Sequence, residues 1–119
     1  MKDQHFISLY QNNMEQPNEN YIKQLSGDNI VFRAKIISII KQELPEEINN
    51  YKENITAKKF QQTASSVHKL KHKISVLGME KSYYLAEEFE INLLKQSTDL
   101  QLEFEAILDA MQQFVDQLT

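Results

Sequence analysis

The chain has 119 residues, a length that suits one domain, and its 41% hydrophobic content is enough for a modest core. Only two glycines and two prolines, together with 25% charged residues, favour long helices over a turn-rich β fold. The net charge of −4 argues against nucleic-acid binding, and the absence of cysteine excludes disulfides, thiol nucleophiles and thiolate metal sites.

Residues 1–20 are predicted to form an arm that precedes the folded domain. The apolar residues Phe6, Ile7, Leu9 and Tyr10 indicate one helical turn or short helix, and the polar run after them indicates a loop. The first residues lack the apolar core of a signal peptide, and no apolar run approaches the length of a membrane span. We therefore expect a soluble cytoplasmic protein that does not interact with membranes.

Two helices are predicted in the first half of the domain. Residues 21–25 form a short helix that stops at Gly27, which takes a left-handed conformation, and Asp28 caps the next helix. The apolar stripe of that next helix has helical spacing and consists of Phe32, Ile36, Ile37, Ile39, Ile40 and Leu44. Pro45 predicts a kink, or a break followed by a second helical segment.

Two further amphipathic helices follow. Thr56 is predicted to cap the first, which runs to about Val76 and is ended by Gly78. The second begins at about Glu80 and ends near Lys95. Its predicted inward residues are Leu85, Ala86, Phe89 and Leu93.

The last predicted helix has the clearest heptad pattern, and residues 97–99 are predicted to supply the turn and the cap before it. Its apolar positions are Leu100, Phe104, Ile107, Met111, Phe114 and Leu118. Four amphipathic helices with short connections predict an all-α fold, an antiparallel up-down four-helix bundle with a short N-terminal helix or arm. On this interpretation residues 21–119 form the bundle, and a monomer is the simplest state because the bundle already closes its core.

The helix before Gly78 carries two of the three histidines, His68 and His72, among several lysines. At about 100° per residue its apolar residues gather on one side, while both histidines turn away from that side. Between residues 57 and 81 there are six lysines against one acid, Glu80. This local basic patch on an acidic protein favours an anionic group or an acidic partner at this place.

These residue types suit reversible phosphoryl transfer. An ordinary histidine, with a pKa of about 6.5, is mostly neutral at pH 7, so one ring nitrogen keeps a lone pair for attack on phosphorus. A phosphoimidazole is anionic, and a lysine one turn away can pair with its oxygens. Lys71 is placed for that relative to His68, whereas Lys69 and Lys73 are interpreted as partner-docking or solvated charge.

The run His68-Lys69-Leu70-Lys71, followed by Leu77-Gly78, resembles the His-x-Leu-Lys-Gly…Leu-Gly motif of histidine phosphotransfer (HPt) domains. The flanking segments Leu25-Ser26-Gly27-Asp28 with Phe32, and Leu85-Ala86-Glu87-Glu88-Phe89-Glu90, also resemble these domains, so that the resemblance covers roughly residues 21–95. The resemblance implies a four-helix bundle in a two-component phosphorelay. It accepts a phosphoryl group on its histidine from a receiver-domain aspartate and passes the group to another receiver. It also implies no kinase activity and no bound cofactor, because the receiver supplies the magnesium.

On this resemblance His68 is the phosphoacceptor and Lys71 the phosphate-stabilising residue. The candidate modulators are His72, Lys69, Ser65 and Ser75. One departure is clear, because the family usually has glycine where this chain has His72. That imidazole, on the same helix face as His68, either donates a hydrogen bond to the phosphoryl group or simply fills the surface. The leucine and lysine spacing matches His68, which disfavours His72 as a second acceptor.

Two other functions stay open. A degenerate HPt-like bundle would bind receiver or kinase domains without phosphotransfer. A His-x-x-x-His pair can also chelate a metal, but no Glu follows the first histidine, no third ligand is evident and nearby lysines oppose a cation. We therefore predict no metal site. The acids Glu87, Glu88 and Glu90 are interpreted as solvated charge.

Overall fold

A computed structural model describes residues 15–119, which form five helices and no strand within that range. The helices are α1 (Asn20–Ser26), α2 (Ile30–Thr56), α3 (Phe60–Val76), α4 (Glu80–Leu94) and α5 (Gln101–Asp116). The all-helical class predicted from the sequence is confirmed, and the helical turn predicted around Phe6 lies outside the described residues. No helix in the described part is both long enough and apolar enough to cross a bilayer.

The four longer helices pack around one apolar core. Helices α3 and α5 each contact both α2 and α4, and α1 packs on α2. Three rings from α2, α4 and α5 meet in this core: Tyr51, Phe89 and Phe104. The Tyr51 ring centroid lies 6.3 Å from that of Phe89 and 5.2 Å from that of Phe104, and the two phenylalanine centroids are 5.1 Å apart. The Tyr51 hydroxyl donates a hydrogen bond to Glu105 at 2.9 Å, and burial, together with the nearby Glu105 charge, raises the pKa of this phenol. The phenol therefore stays neutral and serves as a donor within the core.

Helix α2 runs through Pro45 without a break, so of the two predicted alternatives, a kink or a break, the break is wrong. Proline removes the hydrogen bond to the carbonyl four residues earlier, which here belongs to Lys41. Both residues are exposed, so water can take the place of the missing donor. Leu44 and Ile48 lie on either side of the proline and are both buried in the core, and their packing holds the two halves of the helix on one face.

The beginning of α2 also differs from the prediction. Its N-cap is Asn29, whose Oδ1 accepts a hydrogen bond from the Phe32 amide at 2.9 Å, and not Asp28. Phe32 and Ile39 were predicted to belong to the buried stripe but are 43% and 44% exposed. Phe32 and Ile39 are seven residues apart and therefore share one face of α2. That face is exposed, and it lies away from the side of the helix that carries the buried Leu44.

Three helices end with a residue of positive φ that closes a Schellman motif. After α3, the amides of Gly78 and Met79 donate to the carbonyls of Ser75 and Ile74. Lys58 and Gln96, with φ of 58° and 62°, take the position of Gly78 after α2 and α4. Only one of the three ends thus carries the glycine that a sequence pattern can detect.

The predicted side-chain caps of α3 and α5 are wrong. Thr56 is the last residue of α2, and the N-cap of α3 is Lys59, which makes no side-chain cap bond. The N-cap of α5 is Leu100 in the left-handed region, again without a side-chain bond. Residues 97–99 do form the predicted turn, in which the Ser97 hydroxyl accepts from the Asp99 amide at 3.1 Å.

Residues 15–18 lie across the turn that joins α3 to α4. The Glu15 carboxylate accepts hydrogen bonds from the amides of Lys81 and Ser82, at 3.1 and 2.8 Å, in the first turn of α4. The Asn18 amide donates to the Leu77 carbonyl at 2.9 Å. Gly78 has a φ of +73°, and a Cβ there would lie 2.5 Å from Oδ1 of Asn18. The end of α3 is therefore fixed by contacts on both sides of the turn.

Candidate functional site

His68 lies in the middle of α3 with its side chain 59% exposed. Its Nδ1 is 3.2 Å from Oε2 and 3.3 Å from Oε1 of Glu90, on the neighbouring helix α4. A carboxylate in this position accepts a hydrogen bond from a protonated Nδ1 and so favours the tautomer with its lone pair on Nε2. The tautomer is inferred from this partner. The contact thus leaves the lone pair on Nε2 of an accessible imidazole.

Lys71 shares the same carboxylate. Its Nζ lies 3.0 Å from Oε1 of Glu90 and 3.9 Å from Oε2 of Glu87, and its side chain is only 8% exposed. The ammonium also lies 5.3 Å from the centre of the Tyr83 ring. A cation with so little access to water requires such partners. Glu90 therefore bridges His68 and Lys71, and we call these three side chains the histidine triad.

Glu90 is the site residue that the sequence interpretation missed. Its side chain is 20% exposed and makes two polar contacts, so it is not solvated charge as predicted, whereas its neighbour Glu88 is exposed. The sequence does contain a signal for this contact. Met79 lies in the turn between α3 and α4, and His68 and Glu90 are the same number of residues before and after it. Lys71 and Glu87 are likewise equally far from Met79. Helices that double back at a turn bring such pairs level with each other.

The second imidazole, that of His72, is exposed and lies one helical turn after His68. The two ring centroids are 5.8 Å apart and the ring planes are inclined by 84°. Residue His72 also lines three surface grooves. The structure thus brings both predicted histidines together at a point where several depressions of the surface meet.

We name the three grooves by their walls. The polar groove, of about 400 Å³, lies between α2 and α3 and includes Ser65, His68 and Lys69. The tyrosine groove, of about 710 Å³, has a wall of Tyr21, Tyr83 and Tyr84 and includes Ser75. The isoleucine groove, of about 210 Å³, is lined by Ile36, Ile39, Ile40 and Val76. Two candidate modulators, Ser65 and Lys69, therefore lie beside His68, while Ser75 lies in a groove that contains only the second histidine.

A scan against protein-family models matches the Hpt domain over residues 35–118. The chain belongs to the Hpt domain family. The match spans both histidines and Glu90, and it confirms the resemblance predicted from the motif. Domains of this family serve histidine phosphotransfer in phosphorelays, interact with receiver domains and are in general phosphoryl carriers without catalytic activity. Searches of curated proteins and of solved structures return no match.

The basic patch of this Hpt domain is smaller than the sequence predicted. Lys73 is 12% exposed, and its Nζ lies 2.8 Å from Glu43 and 3.0 Å from Glu47 on α2. The hydrogen bond and charge of Lys73 lower the pKa of the Glu43 carboxyl. Burial opposes the charge of Lys73, but its two carboxylate partners outweigh that and raise the pKa of the ammonium. With Lys71 also paired, two of the six lysines of the patch are neutralised inside the domain.

The metal alternative gains no third ligand from the described part of the domain. Among residues 15–119 no group of three or more histidine, aspartate or glutamate side chains is arranged to hold a metal ion. His68 and His72 form only a pair there, and two imidazoles do not make up the three or four protein ligands of a zinc site.

Proposed function

We propose that this Hpt domain is a phosphoryl carrier of a two-component phosphorelay. It accepts a phosphoryl group on His68 from the aspartate of one receiver domain and passes it to the aspartate of another. The observation that carries the proposal is the contact of Nδ1 with Glu90 at 3.2 Å, on an imidazole that is 59% exposed. An exposed ring with a fixed tautomer is prepared for attack by its outer nitrogen.

The transfer step needs no proton movement in this chain. Nε2 of His68 attacks phosphorus, the Nε2–P bond forms as the bond from phosphorus to the aspartate oxygen breaks, and the aspartate leaves as a carboxylate. Because Nδ1 keeps its proton, the ring becomes positively charged, and the Glu90 carboxylate stabilises that charge. Transfer to the second receiver is the same step reversed. The receiver supplies the magnesium and the catalytic groups, so this chain has neither a cofactor nor kinase activity.

The phosphate-stabilising role predicted for Lys71 takes an indirect form in this proposal. Its ammonium is 3.0 Å from Glu90 and almost buried, so it holds the carboxylate that in turn orients His68. Lys71 is thus a positioning residue that acts through Glu90. The ion pair with Lys71 holds the Glu90 carboxylate next to the ring that becomes cationic.

We also propose that α2 to α5 form an antiparallel up-down bundle. Side-chain contacts support this order, because a residue early in α2 meets the end of the chain after α5, and a residue late in α2 meets the beginning of α5. Arg33 donates to the carbonyl of Thr119 at 2.8 Å, and Tyr51 to Glu105 at 2.9 Å. Between α3 and α4, His68 contacts Glu90, while the later residue Lys71 approaches the earlier residue Glu87 to 3.9 Å. Short connections between consecutive helices suit the same arrangement.

The receiver-docking surface in this proposal is the apolar wall beside the histidines. The isoleucine groove, with Ile36, Ile39, Ile40 and Val76, opens next to His72. Exposed apolar surface beside a reactive group is typical of a protein interface. We propose a monomer in the cytoplasm whose partners are receiver domains of a hybrid kinase or a response regulator, and neither nucleic acid nor membrane.

The test is transfer from a phosphorylated receiver. We expect acid-labile phosphate on the wild type and none on His68→Gln. The matched control His5→Gln removes a histidine outside the motif and should accept phosphate like the wild type. A receiver that binds the domain but transfers nothing would instead support the binding-only alternative. Stoichiometric zinc that is lost in His72→Ala would support the metal alternative.

A further inference from the structure

We propose that the imidazole of His72, in its protonated form, holds the phosphoryl oxygens once His68 is phosphorylated. The domain then retains its phosphoryl group longer at mildly acid pH than a domain without this histidine. This inference rests on the proposed function and deepens it, since it assigns the group that contacts the phosphoryl product. It also gives a role to the residue that departs from the family motif.

The motif lysine, Lys71, is already paired with Glu90. The ammonium of Lys71 lies 3.0 Å from Glu90, beneath the Tyr83 ring, in a side chain that is 8% exposed. To reach a phosphoryl group on the exposed edge of His68 it would have to leave Glu90. That movement would leave the Glu90 carboxylate, which is only 20% exposed, without its cation while the phosphorylated ring is positively charged. An accessible cation for the phosphoryl oxygens must therefore come from elsewhere.

His72 is the neighbour of His68 that is placed to contact a phosphoryl group on its ring. Residues four apart on a helix share a face, and the centroid separation of 5.8 Å leaves room for a phosphoryl oxygen to bridge the rings by one hydrogen bond. Lys73 is committed to Glu43 and Glu47. Lys69 lines the polar groove together with His68, but it follows His68 directly in the chain, and adjacent residues on a helix do not face each other.

The charges around His72 bear on its protonation. From α2 it faces two carboxylates across the grooves, Glu43 and Glu47, both of which pair with Lys73. From α1 and α4 it faces one carboxyl and three phenols: Glu80, Tyr21, Tyr83 and Tyr84. On its own helix the neighbours are His68, Lys69 and Lys73. The approach of a dianionic phosphoryl group adds negative charge to this setting and so favours the charged imidazole.

The chemistry at His72 is a hydrogen bond and not a covalent step. A ring N–H of the imidazolium donates to a phosphoryl oxygen, and no bond to phosphorus forms there. Histidine ordinarily changes its charge between about pH 5 and 8, so the strength of this contact changes over the same range. Loss of the phosphoryl group to water breaks the Nε2–P bond, and water supplies the fourth oxygen of inorganic phosphate. A cation held on the phosphoryl oxygens slows that loss.

The experiment loads the full chain with phosphoramidate, whose P–N bond breaks with release of ammonia as phosphorus bonds to Nε2. The rate of phosphoryl loss is then followed by ³¹P NMR at pH 6, 7 and 8. The comparison includes the wild type, His72→Gln, His72→Gly and His72→Lys, with circular dichroism as the check on folding. At pH 6 the wild type should lose phosphate about two- to fivefold more slowly than His72→Gln, the effect expected of one exposed charged contact. That ratio should approach one at pH 8.

The lysine variant makes the test specific for charge. His72→Lys keeps a cation at every pH used. At pH 8 it should therefore lose phosphate more slowly than His72→Gln by the same factor that separates the wild type from His72→Gln at pH 6. Equal rates in the wild type and His72→Gln at all three pH values would overturn the inference, as would a ratio that does not change with pH. Failure of His68 to load from phosphoramidate and also from a phosphorylated receiver is a separate result, because it removes the proposed function together with the inference.

Discussion

In the proposed transfer step, the side chain on which the site depends is the Glu90 carboxylate. It is in contact with a nitrogen of His68 on one side and the ammonium of Lys71 on the other. An imidazole that must attack through one nitrogen benefits from a carboxylate on the other nitrogen, because the ring gains positive charge as the bond to phosphorus forms. The ion pair with Lys71 holds that carboxylate in place.

Replacement of this carboxylate by an amide tests the argument directly. Glu90→Gln keeps the shape of the side chain but removes the charge that faces both His68 and Lys71. We expect phosphoryl transfer from a receiver to slow by roughly ten- to a hundredfold, by analogy with metal-bound histidines that lose the hydrogen-bond partner of their other ring nitrogen. Stopped-flow or quenched-flow measurement of receiver dephosphorylation gives the rate.

The exposed neighbour Glu88 provides the control for net charge on α4. Glu88→Gln changes the charge of the helix by the same amount and should transfer at nearly the wild-type rate. Receiver affinity should be the same in both variants. Equal slowing in the two variants would show that α4 acts through its overall charge and that the histidine triad has no special part.

At the scale of elements, α2 and α3 are joined by the ion pairs of Lys73. The Glu43 carboxyl has its pKa lowered below its ordinary value of 4.5 by this lysine. A carboxyl with a lowered folded-state pKa stabilises the fold above its ordinary pKa, and this contribution is lost as the pH falls through the lowered value. The raised pKa of Lys73 also means that its charged form stabilises the fold. This contribution is lost only as the pH rises through the folded-state pKa, above 10.5.

The Lys73→Met variant should therefore be destabilised in a pH-dependent way. At pH 7 it leaves Glu43 and Glu47 charged without their shared cation, and the urea midpoint should fall clearly below that of the wild type. As the pH falls through the lowered pKa of Glu43, this charge contribution is lost and the difference between the two proteins should shrink. Lys41→Met, which removes an exposed lysine from α2, should cost little at either pH. A pH-independent loss in Lys73→Met would point to side-chain packing instead of charge.

The turn between α3 and α4 holds the end of the histidine helix. Gly78 has positive φ and lies against the Asn18 side chain, so Gly78→Ala meets both a backbone cost and a steric one. We expect a loss of roughly 1–3 kcal/mol in the free energy of unfolding. In the Asn18→Ala background the steric part should disappear and the loss should be smaller. Identical losses in the two backgrounds would mean that Asn18 moves aside at no cost.

Across the whole fold, the periodicity of apolar residues predicted core positions well. It did not predict features that depend on a single hydrogen bond or ion pair. The heptad of α5 placed Phe104, Ile107 and Met111 correctly in the core. Helix ends at Lys58 and Gln96 could not be predicted because hydrogen bonds, and not residue type, impose their positive φ. Glu90 was missed for a related reason, since its partner lies on another helix. The motif located His68, but only the packing of α3 on α4 supplied the carboxylate.

The most direct test of the account is the site of phosphorylation at atomic resolution. The central claim is that Glu90 holds Nδ1 of His68 and leaves Nε2 to take the phosphoryl group. In ¹⁵N-labelled protein loaded by a phosphorylated receiver, the histidine ring shifts and their coupling to ³¹P identify the bonded nitrogen. We predict phosphorus on Nε2 of His68 with Nδ1 still protonated. Phosphorus on Nδ1 of His68, or on either nitrogen of His72, would contradict the account.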